Sequence, residues 1–196
     1  MKIKNLIIFG TRPEAIKMAP LVKEFQKYND IFVTNLEYKK PSRCLMKPNQ
    51  NLYSLTADII TNLKPVLEEF QPDYVYVHGD TTTTMASSLA AFYAGAQVCH
   101  IEAGLRTFNM QSPFPEEMNR SVTGVVSNLH FAPTTTSRDN LLRENKKEES
   151  IVITGNTVID ALLFSVNKVN NIDFIDTEVV KLKKILDPKK RLILVT

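Results

Sequence analysis

Short apolar runs rich in β-branched residues alternate along this chain with stretches whose apolar positions recur every three or four residues. Leu6-Ile7-Ile8-Phe9 reads as a first strand ending at Gly10. From Ala15 to Lys27, Ile16, Ala19, Leu21, Val22 and Phe25 fall at helical spacing, with Pro13 near the first turn. Ile31-Phe32-Val33 is a second strand. Leu52 to Phe70 is a long amphipathic helix that Pro65 must kink or divide. Tyr74-Val75-Tyr76-Val77 and Gln97 to Ile101 are further strands flanking a helix from Met85 to Ala94 with a threonine-rich start. An irregular stretch runs through Pro115. Helices from Glu116 and Ser137 and short strands at Leu129-His130-Phe131 and Ile151-Val152-Ile153 continue the pattern. Val158 to Leu186 is helical throughout, an appendage leading away towards a last apolar run, Arg191-Leu-Ile-Leu-Val-Thr196.

Repeated βα units with continuous rather than alternating apolar strands imply a parallel sheet covered on both faces. With right-handed crossovers this is an α/β, doubly wound, Rossmann-like domain. Its expected extent is residues 1–160, with 161–196 as linker helices and the start of a second domain. One segment does not fit. Asn35 to Gln50 is basic, contains two prolines and has no period, so it is expected to be an atypical loop where such a fold has a helix.

Composition narrows the picture. The 196 residues are 43% apolar and 23% charged, which excludes disordered and fibrous classes. Lys plus Arg against Asp plus Glu is 24 − 21 = +3, too weak a bias for a nucleic-acid partner. Cys44 and Cys99 are too few for a disulfide framework and suit a reducing, cytoplasmic setting. No apolar run approaches the roughly 20 residues that span a bilayer. The charged start Met1-Lys2-Ile3-Lys4 leads into a strand, not a signal sequence.

In open parallel sheets, ligands bind beyond the carboxyl ends of the strands, and unusual polar residues cluster at those ends. Gly10-Thr11-Arg12-Pro13-Glu14 offers a tight turn whose free N–H groups, with Arg12, would suit an anion; the alternative is an ordinary strand-to-helix turn. In His78-Gly79-Asp80-Thr81-Thr82-Thr83-Thr84, Asp80 is either a pocket carboxylate or a helix N-cap. Glu102, in His100-Ile101-Glu102-Ala103-Gly104-Leu105-Arg106-Thr107, directly follows a buried strand. Desolvation there is expected to raise its pKa, unless a salt bridge to Arg106 accounts for it. The pairs His78/Asp80 and His100/Glu102 would share a strand face, but no third ligand clusters with them, so no metal is assigned. In Ser112-Pro113-Phe114-Pro115-Glu116-Glu117 the prolines set an extended approach to a helix. At least one of its two glutamates is explained by favourable charge in a first turn. Thr157-Val158-Ile159-Asp160 has a capping-box pattern.

At these residues the sequence resembles the non-hydrolysing UDP-N-acetylglucosamine 2-epimerases. The matching motifs are Gly10-Thr-Arg-Pro-Glu-Ala-Ile-Lys-Met-Ala-Pro20, His78-Gly-Asp-Thr-Thr-Thr-Thr84, His100-Ile-Glu-Ala-Gly-Leu-Arg-Thr107, Pro113-Phe-Pro-Glu-Glu-Met-Asn-Arg120 and Gly155-Asn-Thr-Val-Ile-Asp160. The resemblance implies the N-terminal half of a glycosyltransferase-B-like two-domain fold, usually a homodimer, acting in the cytoplasm on UDP-GlcNAc and UDP-ManNAc. It implies Asp80, Glu102 and Glu116 as catalytic carboxylates, Arg12 and Lys17 as nucleotide-sugar contacts, and no cofactor.

Two departures accompany the match. The family's Gln-His-Arg motif, implicated in a regulatory site, has no counterpart around the segment at 35–50. Its His-Arg-Arg-Glu-Asn run, which carries a catalytic His after a strand like Leu192-Ile-Leu-Val-Thr196, is not in the sequence. A chain with one cleft wall is expected to be weakly active or inactive alone. The alternatives are a non-catalytic nucleotide-sugar-binding or partner-binding remnant, or one half of a split enzyme. Its C-terminal apolar face (Leu162, Leu163, Val166, Leu182, Ile185, Leu186) is expected to be unpaired and to favour self-association.

Overall fold

A computed structural model describes residues 3–28, 31–36, 51–171, 176–187 and 189–191. Most of the atypical segment, residues 37–50, and the last apolar run, residues 192–196, lie outside the described residues. Of the segment's first residues, Asn35 and Leu36 continue a strand.

The elements are β1 (Ile3–Ile8), α1 (Arg12–Phe25), β2 (Ile31–Leu36), α2 (Leu52–Phe70), β3 (Tyr74–His78), α3 (Thr82–Tyr93), β4 (Gln97–Ile101), α4 (Glu116–Val126), β5 (Leu129–Ala132), α5 (Thr135–Arg143), β6 (Ile151–Ile153), α6 (Thr157–Asn170) and α7 (Thr177–Ile185). Six parallel strands stand in the order β2-β1-β3-β4-β5-β6. Strand order reverses between β1 and β3, and that switch point is where a doubly wound sheet opens a crevice for ligand.

Continuous apolar strands are needed because both faces are covered. Leu6 and Ile8 join Val75, Val77 and Val98 in a core completed by Ile59, Leu63 and Leu67 of α2 and Ala86 and Ala90 of α3. Ile7 turns to the other face and packs with Met18, Leu21 and Phe25 of α1. Tyr76 bridges that layer edge-on to Phe25, with centroids 5.3 Å apart.

The structure departs from the sequence reading in local ways. α2 runs as one helix through Pro65. α1 and α3 each begin three residues before the periodic apolar positions, because Thr11 and Thr81 cap them. The cap of α6 is Asn156, whose Oδ1 accepts from Val158 N at 3.0 Å, so Thr157 starts the helix and the capping box read there is not formed. α6 does not lead away from the domain: the Lys23 ammonium of α1 lies 3.2 Å from the centre of the Phe164 ring, and Ala161 is buried.

Candidate active site

The first turn after β1 is closed on itself. Glu14, buried in the first turn of α1, accepts from Gly10 N at 2.7 Å and Thr11 N at 2.8 Å. Thr11 in turn caps the helix, and the two form a reciprocal capping box. The other Glu14 oxygen accepts from Thr81 Oγ1 at 2.6 Å, tying the loop after β1 to the loop after β3. The amides of Gly10 and Thr11, which the sequence left open between an anion site and an ordinary turn, are occupied by the chain's own carboxylate. Arg12 is exposed, with no hydrogen bond or ion pair among the described residues, and is the cation left available at this helix start. Gly10 is required by packing: a Cβ there would lie 2.6 Å from Thr83 Cγ2 and 2.7 Å from its Cβ.

The second turn decides the role of Asp80. Thr81, not Asp80, caps α3, accepting from Thr84 N. Asp80 instead takes Arg120 Nη1 at 3.0 Å on Oδ2, while its carbonyl accepts from Asn119 Nδ2 at 2.9 Å. Burial pushes the Asp80 carboxyl above its ordinary value, and the negative charges of Glu102 and Glu116 push the same way against Arg120. Two further carboxylates picked from the sequence, Glu102 and Glu116, thus act on Asp80.

Glu102 sits just past β4 at φ 64, in the left-handed region that a non-glycine residue occupies at a cost of about 1–3 kcal/mol. The backbone is held there by hydrogen bonds on either side, Gly79 N to Ile101 O at 2.9 Å and Ala103 N to Phe131 O at 3.0 Å. Its carboxylate does not pair with Arg106, which forks onto Glu144 at 2.6 and 2.9 Å. It meets Lys17 Nζ at 2.9 Å, His78 Nε2 at 3.3 Å and Asn156 Nδ2 at 3.3 Å. The expected rise in its pKa is not found. Burial does raise it, but His78 and Lys17 together outweigh that and hold the carboxyl at about 2. Lys17 is accordingly engaged with a carboxylate.

The fold splits the paired histidine-acid motifs. His100 is fully buried and donates Nε2–H to Gly79 O at 2.7 Å, bracing the turn that carries Asp80. Burial keeps its ring neutral, with a pKa down at about 3. Among the described residues no group of three or more His, Cys, Asp or Glu is arranged to hold a metal ion.

Glu116 and Glu117 divide as the sequence allowed. Glu116 opens α4 half-buried, within electrostatic reach of Asp80. Glu117 is buried, accepting from Thr107 N, Phe108 N and the Arg120 guanidinium. Burial alone would raise its pKa, but these donors hold it below the usual carboxylate range. The approach to α4 is a set of turns, not the extended run expected: Glu117 N returns to Pro113 O and Asn119 N to Pro115 O.

Sequence reading passed over Glu14, His78 as a partner of Glu102, Asn156, and the Glu117–Arg120–Asp80 relay. For Glu14 there was a signal, the Thr11-x-x-Glu14 capping pattern. The others are contacts between residues 24 to 54 positions apart or depend on which first-turn glutamate turns inward, and no local pattern reports either.

A family model described as UDP-N-acetylglucosamine 2-epimerase matches residues 24–196. A UDP-N-acetylglucosamine 2-epimerase of Salmonella borreze is 47% identical over 213 residues, covering 98% of this chain and 56% of the relative. The crystal structure of the Neisseria meningitidis UDP-GlcNAc 2-epimerase bound to UDP-GlcNAc superposes with a TM-score of 0.80 at 48% identity, over 93% of this chain and 52% of that one. A lipopolysaccharide outer core galactosyltransferase shares the fold alone, at TM-score 0.51 and 12% identity. The chain spans about half the length of the curated relatives it matches. With the motifs at Asp80, Glu102 and Glu116 inside the matched region, the chain belongs to the UDP-N-acetylglucosamine 2-epimerase family.

Proposed function

We propose that this chain supplies the acid/base wall of a non-hydrolysing epimerase that interconverts UDP-GlcNAc and UDP-ManNAc. The observation that carries the reading is the convergence of Asp80, Glu102 and Glu116 at the β3–β4 edge, with Glu102 and Glu116 both felt at Asp80. A sugar C2–H has no neighbouring carbonyl and is not acidic enough for simple removal. Departure of UDP with the C1–O electron pair places positive charge at C1, and the C2 proton then passes to a carboxylate. The product is 2-acetamidoglucal, with a C1–C2 double bond. Inversion follows when a proton returns to C2 from the other face and a UDP oxygen closes on C1, so proton-exchanging groups are needed on both faces.

The two environments suggest a division of labour. Glu102, held ionised, faces the positive charge growing at C1. Asp80, pushed upward, and Glu116 exchange the C2 proton on the two faces. Arg12 and Lys17 contact the nucleotide sugar. A cytoplasmic location and a homodimer belong to the same proposal.

The test is incubation with UDP-GlcNAc in D2O, using the chain alone and the chain joined to the second half of the Neisseria relative. The joined protein is expected to place deuterium at C2 and to form UDP-ManNAc, with the chain alone much slower. Absence of C2 exchange in both, from a folded joined protein, overturns the reading.

A further inference from the structure

His78 stands out among the buried polar groups. It is 3% exposed at the end of β3, and neither ring nitrogen makes a well-aligned hydrogen bond among the described residues. Among the described residues the charged group it meets is the Glu102 carboxylate, 3.3 Å from Nε2. Neighbouring β3 and β4 place His78 opposite Ile101, one residue before Glu102, so the imidazole lies beside the carboxylate as it leaves the sheet. We propose that His78 is a positioning residue for Glu102, donating its Nε2–H to the carboxylate and fixing, with Lys17 and Asn156, the direction in which it faces.

The tautomer follows from what each nitrogen meets. A neutral imidazole carries one N–H, and among the described residues Nε2 is the nitrogen with an acceptor within reach, the Glu102 carboxylate. A proton on Nδ1 would leave a buried donor without a partner and turn a lone pair towards a carboxylate. The groups facing Glu102 come from four places: Lys17 on α1, His78 on β3, Asp80 in the turn after β3, and Asn156 at the cap of α6. Lys17 sits on a long flexible stem, while Asn156 is an uncharged donor at 3.3 Å. The rigid strand-borne imidazole is therefore the contact best placed to hold the strained Glu102 in one orientation.

This inference depends on the epimerase reading only for its consequence in turnover, and its test needs no turnover. The probes are the 15N shifts of the His78 ring in the wild-type chain and the 13C carboxyl titration of Glu102 in wild-type, His78→Gln and His78→Phe proteins. The expected result is a ring protonated on Nε2. The Glu102 midpoint should rise by about one pH unit or more in His78→Phe and much less in His78→Gln, which keeps a donor. A proton on Nδ1, or a midpoint unchanged in a folded His78→Phe, overturns the proposal. If His78→Phe does not fold, the wild-type tautomer decides alone. By contrast, a Glu102→Gln protein that still exchanges C2 hydrogen would sink the reading of the site and leave the His78 contact standing.

Discussion

The turns that follow β1, β3 and β4 and the helices α6 and α7 treat their side chains in opposite ways. Around those turns, charged and polar groups go inside: Glu14, His78, His100, Glu117 and Arg120 are all buried, and Glu14, Glu117 and Arg120 are each held by a partner outside their own helix, namely Thr81, the Thr107 and Phe108 amides, and Asp80. In the C-terminal helices, apolar groups stay outside: Leu162, Leu163, Leu182 and Ile185 are each more than half exposed. Val152 and Ile153 of β6 are also exposed. The same amphipathic periodicity therefore means two things. In the first region it records a core already closed, and in the second an apolar face that no described residue covers. Buried charge marks the chemistry, and exposed apolar surface marks where association is expected.

The contrast breaks most severely through Glu117. Glu117→Ala removes the acceptor of two backbone amides and leaves Arg120 buried beside Asp80 alone, a loss of about 3–5 kcal/mol. Urea titration followed by circular dichroism measures it. Next comes pH. His100 and His130 stay neutral when folded, with pKa values at about 3 and about 4, whereas the unfolded chain titrates both near 6.5. The unfolded state binds more protons in that window, so stability falls as pH drops below 6.5 and the loss is complete near pH 3, on the order of a few kcal/mol. Glu102, depressed to about 2, adds a loss of the same sign between its ordinary 4.5 and 2. His100→Gln, which retains a donor for Gly79 O, is expected to flatten the upper part of that curve in denaturation midpoints measured from pH 7 to pH 4.

Smaller effects sharpen the comparison. Gly10→Ala forces a methyl group into Thr83 and is expected to cost about 1–3 kcal/mol, read as a lower midpoint in the same titration. Leu162→Gln and Ile185→Gln, on the exposed faces, should change stability by no more than about 0.5 kcal/mol. They should nonetheless weaken self-association in sedimentation velocity.

Much of the first region was legible from sequence. Continuous strands, their order of appearance and the polar clusters after β1, β3 and β4 gave a doubly wound sheet and pointed to Asp80, Glu102 and Glu116. What escaped was partner choice. Glu102 is expected from sequence to be raised by burial unless a salt bridge to Arg106 accounts for it; the fold gives Arg106 to Glu144 and brings in Lys17, 85 residues distant, with His78. Of the two readings of the Gly10 turn, the fold takes the ordinary strand-to-helix one for a local reason, since Glu14 reaches back to the amides of Gly10 and Thr11. In the second region, helicity and apolar exposure were readable from periodicity, while the return of α6 onto α1 through Lys23 and Phe164 was not.

The central claim is that three carboxylates from separate turns meet at one edge of the sheet. The measurement closest to it is the 13C carboxyl titration of Asp80 in wild-type, Glu102→Gln and Glu116→Gln proteins. A wild-type midpoint above the ordinary 3.8, falling in each variant as a repelling charge is removed, is the result expected. A midpoint at or below 3.8 that neither substitution moves would contradict the convergence.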